Sequence, residues 1–112
     1  MVQPGVYNIT LQRRADYSIS LRFLDSNKQA INLTGWTVHA QIWNVARTSK
    51  YADFAVTYTN RSEGRVQLSL TYSQTTDLPT ESAYDVLLIN SAGVREYYME
   101  GAVNAQQSYT TP

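Results

Sequence analysis

The chain has 112 residues, with nine basic and nine acidic side chains and a formal net charge of zero. This length suits one domain with a single hydrophobic core. A neutral balance predicts neither nucleic-acid binding nor a basic patch for membrane surfaces. The sequence contains no cysteine, which excludes a disulfide scaffold, a thiol nucleophile and a thiolate zinc site.

No segment of the sequence predicts insertion into a membrane. The longest uninterrupted apolar run, residues 86–89, is far shorter than the ~20 residues of a spanning helix. The first five residues have neither the basic nor the apolar region of a signal peptide. We therefore expect no membrane partner.

Alternating apolar and polar residues predict strands along the first half of the chain. Residues 7–11 predict a first strand with one apolar face, and residues 17–23 give the clearest alternation. Residues 25–28 are typical of a turn whose side chains bind their own backbone. Residues 31–33 predict a short strand, and residues 36–43 a longer one with a tryptophan on each face.

The second half continues the same pattern. Residues 60–64 predict a hairpin loop in which Gly64 takes a positive φ. One helical turn is predicted at residues 73–78, with Ser73 as its N-terminal cap. The polar residues 105–112 predict a flexible tail. The remaining alternating stretches predict strands at residues 51–59, 66–70, 84–89 and 94–103.

Seven or eight short strands spaced about 8–12 residues apart, without a long helix, are typical of an antiparallel sandwich or barrel. We predict an all-β, immunoglobulin-like antiparallel β-sandwich in a single domain, residues 1–112, with its core at residues 6–104. Tyr84 favours this type, because it begins a late strand where the tyrosine corner of such sandwiches lies. Alternatively, Tyr84 is simply a core aromatic residue.

The sequence offers little for catalysis. His39 is the only histidine, and there is no G-x-S-x-G motif to indicate a nucleophile. Glu96 and Glu100 are predicted to share one face of the last strand, with Tyr98 between them, as a glycosidase pair would. A solvated strand face explains the same pair more simply. We expect no enzymatic activity, no cofactor and no metal.

Tyrosine is the outlier of the composition, with nine copies against two Phe and two Trp. A small core cannot bury so many aromatic residues, and protein interfaces are enriched in tyrosine. Alternatively, they cover a sheet face within the monomer, or stack on a carbohydrate. The predicted interface residues are Trp43, Tyr51, Tyr97, Tyr98 and Tyr109.

A series of short motifs adds to this reading. Asn-Ile-Thr at residues 8–10 precedes the alternating strand 17–23, and Leu-Thr-Gly-Trp follows at 33–36. Tyr-Asp-Val at 84–86 and Met-Glu-Gly at 99–101 come in the later strands. This order resembles that of small β-sandwich structural proteins of tailed bacteriophages, particularly marine cyanophages. It is also similar to the N-terminal domain of phage baseplate upper proteins.

The resemblance implies a virion protein without catalytic residues. It favours a tail or baseplate adaptor first, and a capsid decoration protein second. The implied partners are other virion proteins, or further copies of the chain in a homo-oligomer, with no nucleic acid and no membrane. A carbohydrate-binding module that contacts a host glycan is the alternative from a different functional class.

Overall fold

The structure is a computed structural model that describes residues 5–107. These residues form an all-β, immunoglobulin-like sandwich, as the sequence predicts, but with nine strands instead of seven or eight and with two parallel pairings in a mainly antiparallel fold. The elements in chain order are β1 (Gly5–Val6), β2 (Ile9–Gln12), β3 (Tyr17–Arg22), β4 (Thr37–Trp43), β5 (Lys50–Asp53), β6 (Ala55–Asn60), a 3₁₀ turn (Arg61–Glu63), β7 (Arg65–Leu70), α1 (Tyr72–Thr76), β8 (Glu81–Ile89) and β9 (Arg95–Gln106).

Two sheets make up the sandwich. In the larger sheet the order is β1–β9–β8–β4–β5, and β2 also pairs with β9. In the smaller sheet the order is β3–β7–β6. β1 and β2 run parallel to β9, whereas the other paired strands are antiparallel. The first strands are thus held by the last one, and the chain crosses to the small sheet between β2 and β3.

The core lies between the sheets and comes from the alternation within each strand. β4, β7 and β8 each bury every second side chain, because they have paired strands on both sides. Residues 31–33, predicted as a short strand, lie outside the strands although their apolar side chains are buried. The largest fully buried apolar side chains are Tyr84, Phe23, Ile9, Leu33, Ile42, Leu68 and Leu88.

A bulge in β9 changes which residues share a face. Leu87 of β8 pairs with Tyr97, but the next residue, Val86, pairs with Met99, so Tyr98 is the extra residue. Glu96 therefore lies opposite the buried Leu88, while Glu100 lies opposite Asp85 on the outer face. The prediction that Glu96 and Glu100 share one face is therefore wrong, because the two carboxylates point to different faces.

The first strand is interrupted where it crosses Tyr84. Tyr7 was predicted to face inward with Ile9 and Leu11, but its side chain is exposed and its carbonyl oxygen accepts a 2.5 Å hydrogen bond from the Tyr84 hydroxyl. A tyrosine corner bonds backbone a few residues upstream. The prediction of a tyrosine corner at Tyr84 is therefore wrong, since the Tyr84 hydroxyl binds a residue 77 positions away.

Gly101 is required at this crossing. It pairs with Tyr84 in the β8–β9 ladder. A Cβ atom at Gly101 would overlap the carbonyl oxygen of Tyr7, lie 2.8 Å from its carbonyl carbon and approach the Tyr84 ring at 3.1 Å. The first strand can bind β9 this closely only because that position has no side chain.

The turns follow the sequence with two differences. Gly64 ends the 3₁₀ turn at φ 68°, as predicted. The predicted helical turn forms, but its cap is Thr71, not Ser73, because Thr71 and Gln74 form a capping box. The tail does not begin at residue 105: Ala105 is 2% exposed and pairs with Leu11, so β9 continues to Gln106.

Candidate interaction surface

The outer face of the large sheet carries two large aromatic side chains, Trp43 and Tyr97. We call it the large-sheet face; it consists of the outward residues of β4, β8 and β9 and of Arg47 in the β4–β5 loop. Two shallow depressions of about 320 and 460 Å³ lie on it and share Asp85 and Tyr97. The residues that line them are His39, Gln41, Arg47, Asp85, Leu87, Ile89, Arg95, Tyr97, Met99 and Glu100.

Arg47 crosses two strands of this face. Its guanidinium lies 3.2 Å from an Asp85 oxygen on β8 and 3.5 Å from a Glu100 oxygen on β9. The loop that holds it is organised by Asn44, whose side-chain oxygen accepts hydrogen bonds from the backbone N–H groups of Thr48 and Ser49. Arg47 itself has a φ of 59°, a conformation that L-residues seldom adopt outside turns.

Asp85 lies in the centre of the large-sheet face and is partly buried. Burial raises the pKa of its carboxyl group, and the negative charge of Glu100 raises it further, while Arg47 lowers it by charge and hydrogen bonding. Asp85 and Glu100 are directly opposite each other in the ladder. Arg47 therefore compensates two adjacent carboxylates that would otherwise repel.

Trp43 is held beside this charged group. Its indole N–H donates to the side-chain oxygen of Gln41, two residues earlier on the same face of β4, at 3.0 Å. A further depression of about 160 Å³ is lined by Gln41, Trp43, Arg47, Asp85 and Tyr97. The face thus presents a tryptophan and a tyrosine around a fixed ion pair.

The structure brings together two of the five predicted interface residues. Trp43 and Tyr97 line one depression, and Tyr97 is 57% exposed. Tyr51 is 44% exposed on the edge strand β5 but lines none of these depressions. Tyr109 lies outside the described residues.

Tyr98 is placed differently from the sequence prediction. Its ring packs edge-on against Phe23, with the ring centres 4.7 Å apart, and its hydroxyl group binds the backbone of Leu24. The bulge in β9 turns it toward the core. The prediction of an exposed interface residue at this position is corrected, since Tyr98 stabilises the monomer.

Sequence reasoning missed Arg47 and Asp85. Arg47 lies in an aperiodic loop. No sequence pattern in that loop predicts that the Arg47 side chain reaches β8 and β9. Asp85 does occupy an outward position of an alternating strand, which is a detectable signal. Its half-buried state depends on neighbours from other strands, so the sequence pattern alone cannot reveal it.

The outer face of the small sheet is of a different kind. Its outward positions on β3, β7 and β6 follow from the paired registers, in which Ser18 faces Ser69 and Ser20 faces Gln67. No aromatic residue occurs among them. The outward residues are Ser18, Ser20, Arg22, Ala55, Thr57, Asn60, Arg65, Gln67 and Ser69.

Within residues 5–107, no group of three His, Cys, Asp or Glu side chains is placed to hold a metal ion. No helix in this part of the chain has the length and apolar character to cross a bilayer. His39 is exposed on β4 and lines one depression of the large-sheet face. What the face offers chemically is apolar contact area around a compensated ion pair.

No family model matches the sequence. No curated protein matches it either. Among solved structures, the crystal structure of the Lin-41 filamin domain is similar in fold, with a TM-score of 0.48 and 13% sequence identity. The alignment covers 87% of this chain and 82% of that one.

Proposed function

We propose that this chain is a non-catalytic structural component of a tailed-phage virion, most simply a tail or baseplate adaptor that binds a neighbouring protein through the large-sheet face. The observation that carries the binding role is the contrast between the two outer faces. One presents Trp43, Tyr97, Leu87 and Ile89 around an ion pair, and the other presents polar residues, two arginines among them, and no aromatic residue. The order of short sequence motifs supports the virion setting.

The large-sheet face has the composition of a protein interface. Interfaces combine aromatic anchors and Arg at the centre with a polar rim, and a few such anchors supply most of the binding energy. Trp43 and Tyr97 are the aromatic anchors here, and Arg47 is already positioned by Asp85 and Glu100. A partner therefore meets an arginine that already contacts both carboxylates of this face.

Location in the particle is tested by immunogold labelling of phage from the source lysate, with antibody raised against the purified chain. We expect gold at the tail end of intact particles. Gold over the whole shell would favour the capsid decoration role instead. Gold on neither intact nor disrupted particles would contradict the virion proposal.

The role of the large-sheet face is tested by incorporation into particles. A tagged chain is expressed in the host during infection, and its copies per purified particle are counted by quantitative mass spectrometry. We expect Tyr97→Ser to reduce incorporation at least about tenfold, the effect of losing 1.4 kcal/mol. The matched control is Tyr72→Ser, because Tyr72 on α1 is 60% exposed, against 57% for Tyr97. Equal incorporation of both variants would contradict the proposal.

One observation favours a carbohydrate-binding module as the second candidate. Trp43 and Tyr97 line a single depression together with the polar groups of Gln41 and Asp85, a combination that suits a sugar ring. A glycan array with the purified chain tests this function. Binding of a glycan that quenches tryptophan fluorescence in the wild type, but not in Trp43→Phe, would favour it over the adaptor.

A further inference from the structure

β3 is an edge strand with an unused side. It pairs with β7 on one side, and within residues 5–107 no strand pairs with its other side. An unpaired strand edge presents a row of free N–H and C=O groups that can accept another strand. Whether a further strand can pair here depends on which of these backbone groups are free.

The register identifies the free groups. Phe23 donates its N–H to the carbonyl of Gly64, so this pair is hydrogen-bonded, and the hydrogen-bonded pairs recur at every second residue along β3. Those residues, Tyr17, Ile19 and Leu21, direct their backbone groups toward β7. The backbone groups of Ser18, Ser20 and Arg22 point to the unpaired side.

The free stretch has defined ends. Beyond Arg22, the N–H and the carbonyl of Leu24 are both bonded to the hydroxyl of Tyr98, at 3.0 and 3.2 Å. At the other end, β3 begins at Tyr17, where its ladder with β7 starts with the pair of Tyr17 and Leu70. The available groups are thus limited to three residues and are centred on Ser20.

The inward side chains of β3 are incompletely covered. Tyr17, Ile19 and Leu21 are only partly buried, although they point to the same core as the fully buried Val66 and Leu68 of β7. Apolar surface therefore remains accessible along this edge, directly beside the free backbone groups. A strand added here would cover both.

The edge also lacks most of the usual protection. β5 is four residues long, carries Lys50 and has a bulge against β4. β6 has a bulge against β7. β3 has a regular register over six residues, with neither lysine nor proline. Bulges, short length, proline and charged side chains, lysine above all, are the features by which proteins prevent edge pairing. Of these, β3 has only one charged residue, Arg22 at its end, whose guanidinium is paired with Glu63.

We infer that β3 pairs in antiparallel fashion with β3 of a second copy of this chain, about a two-fold axis at Ser20, so that two small sheets join into one. The occupant is a second copy because the strand is complementary to itself in this register. Ser20 meets Ser20 of the second copy, and Arg22 meets Ser18, so no like charges face each other directly. On the core side, Ile19 meets Leu21, and each covers the other's exposed apolar surface.

This pairing is closed. A two-fold contact uses the same patch on both copies, so it gives a dimer and leaves no further β3 edge for fibre growth. It also leaves the large-sheet face of each copy free, since that face belongs to the other sheet. The inference is independent of the proposed function, and either can fail without the other.

The test measures the mass of the purified chain by sedimentation equilibrium. We expect the wild type to be a dimer and both Ser20→Lys and Ser20→Asp to be monomers, because each variant places like charges opposite each other at the axis. An equimolar mixture of the two variants should restore the dimer, since opposite charges then meet. Only a contact of residue 20 with residue 20 predicts this rescue.

The matched control is Ser20→Ala, which keeps the backbone N–H and adds no charge; it should remain dimeric. Circular dichroism of each variant verifies that the sandwich is retained. A wild type that stays monomeric up to about 1 mM overturns the inference. So does a dimer that persists in both charged variants, or one that a variant mixture fails to restore. Dimerisation of the wild type only after removal of residues 1–4 would assign the edge to the chain's own first residues and also overturn it.

Discussion

β3 and β7 are neighbours in the same sheet, carry the same alternation and differ in how deeply they are buried. β7 lies between two strands, and its inward residues Val66, Leu68 and Leu70 are at most 3% exposed. β3 has a strand on one side only, and all of its inward residues are partly exposed. The alternation thus determines which face a residue takes, and the position in the sheet determines how far it is buried.

The two regions are also stabilised by different interactions. Around β7 the core is held by apolar contacts between fully buried side chains. Beside β3, tyrosine hydroxyl groups bind backbone groups: Tyr84 binds the carbonyl of Tyr7, and Tyr98 binds both backbone groups of Leu24. Near β3, a few hydrogen bonds from tyrosine hydroxyl groups to the backbone therefore stabilise the sandwich.

The largest expected effect contrasts leucines of the two strands. Leu68→Ala should lower the free energy of unfolding by about 2–5 kcal/mol, since it leaves a cavity in a closed core. Leu21→Ala, on the same core face of β3, should cost only about 1–2 kcal/mol, because less apolar surface is lost. Urea unfolding at protein concentrations low enough to keep the chain monomeric measures both, since pairing of two β3 strands would cover Leu21. Equal losses would mean that β3 is as well covered as β7.

The next effect concerns the hydroxyl group of Tyr84. Tyr84→Phe should lower the free energy of unfolding by about 1–3 kcal/mol, because the carbonyl of Tyr7 then lacks its partner while the ring remains packed. The same urea titration measures this loss. A variant as stable as the wild type would show that water replaces the hydroxyl at this crossing.

Alkaline pH tests the same bond in the wild type. Burial, then the nearby Tyr17 and Tyr7, raise the pKa of Tyr84 above its ordinary value of 10.0. The unfolded chain therefore loses this proton first, so stability is complete below about pH 10 and falls as pH rises above it, by at most about 1.4 kcal/mol per pH unit. Thermal unfolding from about pH 8 to pH 11 measures the fall. Tyr84→Phe should fall less steeply, and identical slopes would contradict the assignment.

A smaller effect separates two adjacent tyrosines. Tyr98→Phe should cost about 1 kcal/mol, because both backbone groups of Leu24 lose their hydrogen-bond partner. Tyr97→Phe is the matched control, since its exposed ring lies on the other face of β9. It should leave the unfolding curve unchanged. Equal behaviour of the two variants would place the bulge of β9 elsewhere.

The smallest effect has the opposite sign. Ser82 is 1% exposed on β8, and its hydroxyl oxygen has no hydrogen-bond partner in the described part of the chain. Ser82→Ala should therefore raise the free energy of unfolding by about 1 kcal/mol. Ser20→Ala on the exposed face of β3 should change it little. A loss of stability in Ser82→Ala would reveal a bond that the hydroxyl makes.

Much of the fold could be predicted from the sequence, because most strands alternate strictly. The strand at residues 17–23, the hairpin with a positive φ at Gly64 and the helical turn before Pro79 all follow from local patterns. The tail was placed too early, because Ala105 is small and lies among polar residues. Its burial comes from pairing with Leu11, 94 positions away in the chain.

The site was harder to predict than the fold. Tyr97 and Tyr98 are adjacent in the sequence. The face that each of them takes depends on the bulge in β9, which no local sequence pattern indicates. The partner of Tyr84 could not be found from the residues around Tyr84, because that partner, Tyr7, lies between β1 and β2, 77 positions away in the chain. Trp43 was identified correctly as a residue of an outer face, since the alternation of β4 is uninterrupted. The features of the site that the sequence did not predict depend on pairing between strands that are distant in the chain.

The parallel pairing of the first strands with β9 has a mechanical consequence. The chain enters this pairing at Gly5 and leaves it at Gln106, and both strands run in the same direction. Tension applied between these two points acts along the strands, so it shears all of their hydrogen bonds together and does not open them one after another. A domain held at these two points resists extension until the hydrogen bonds between the first strands and β9 break together.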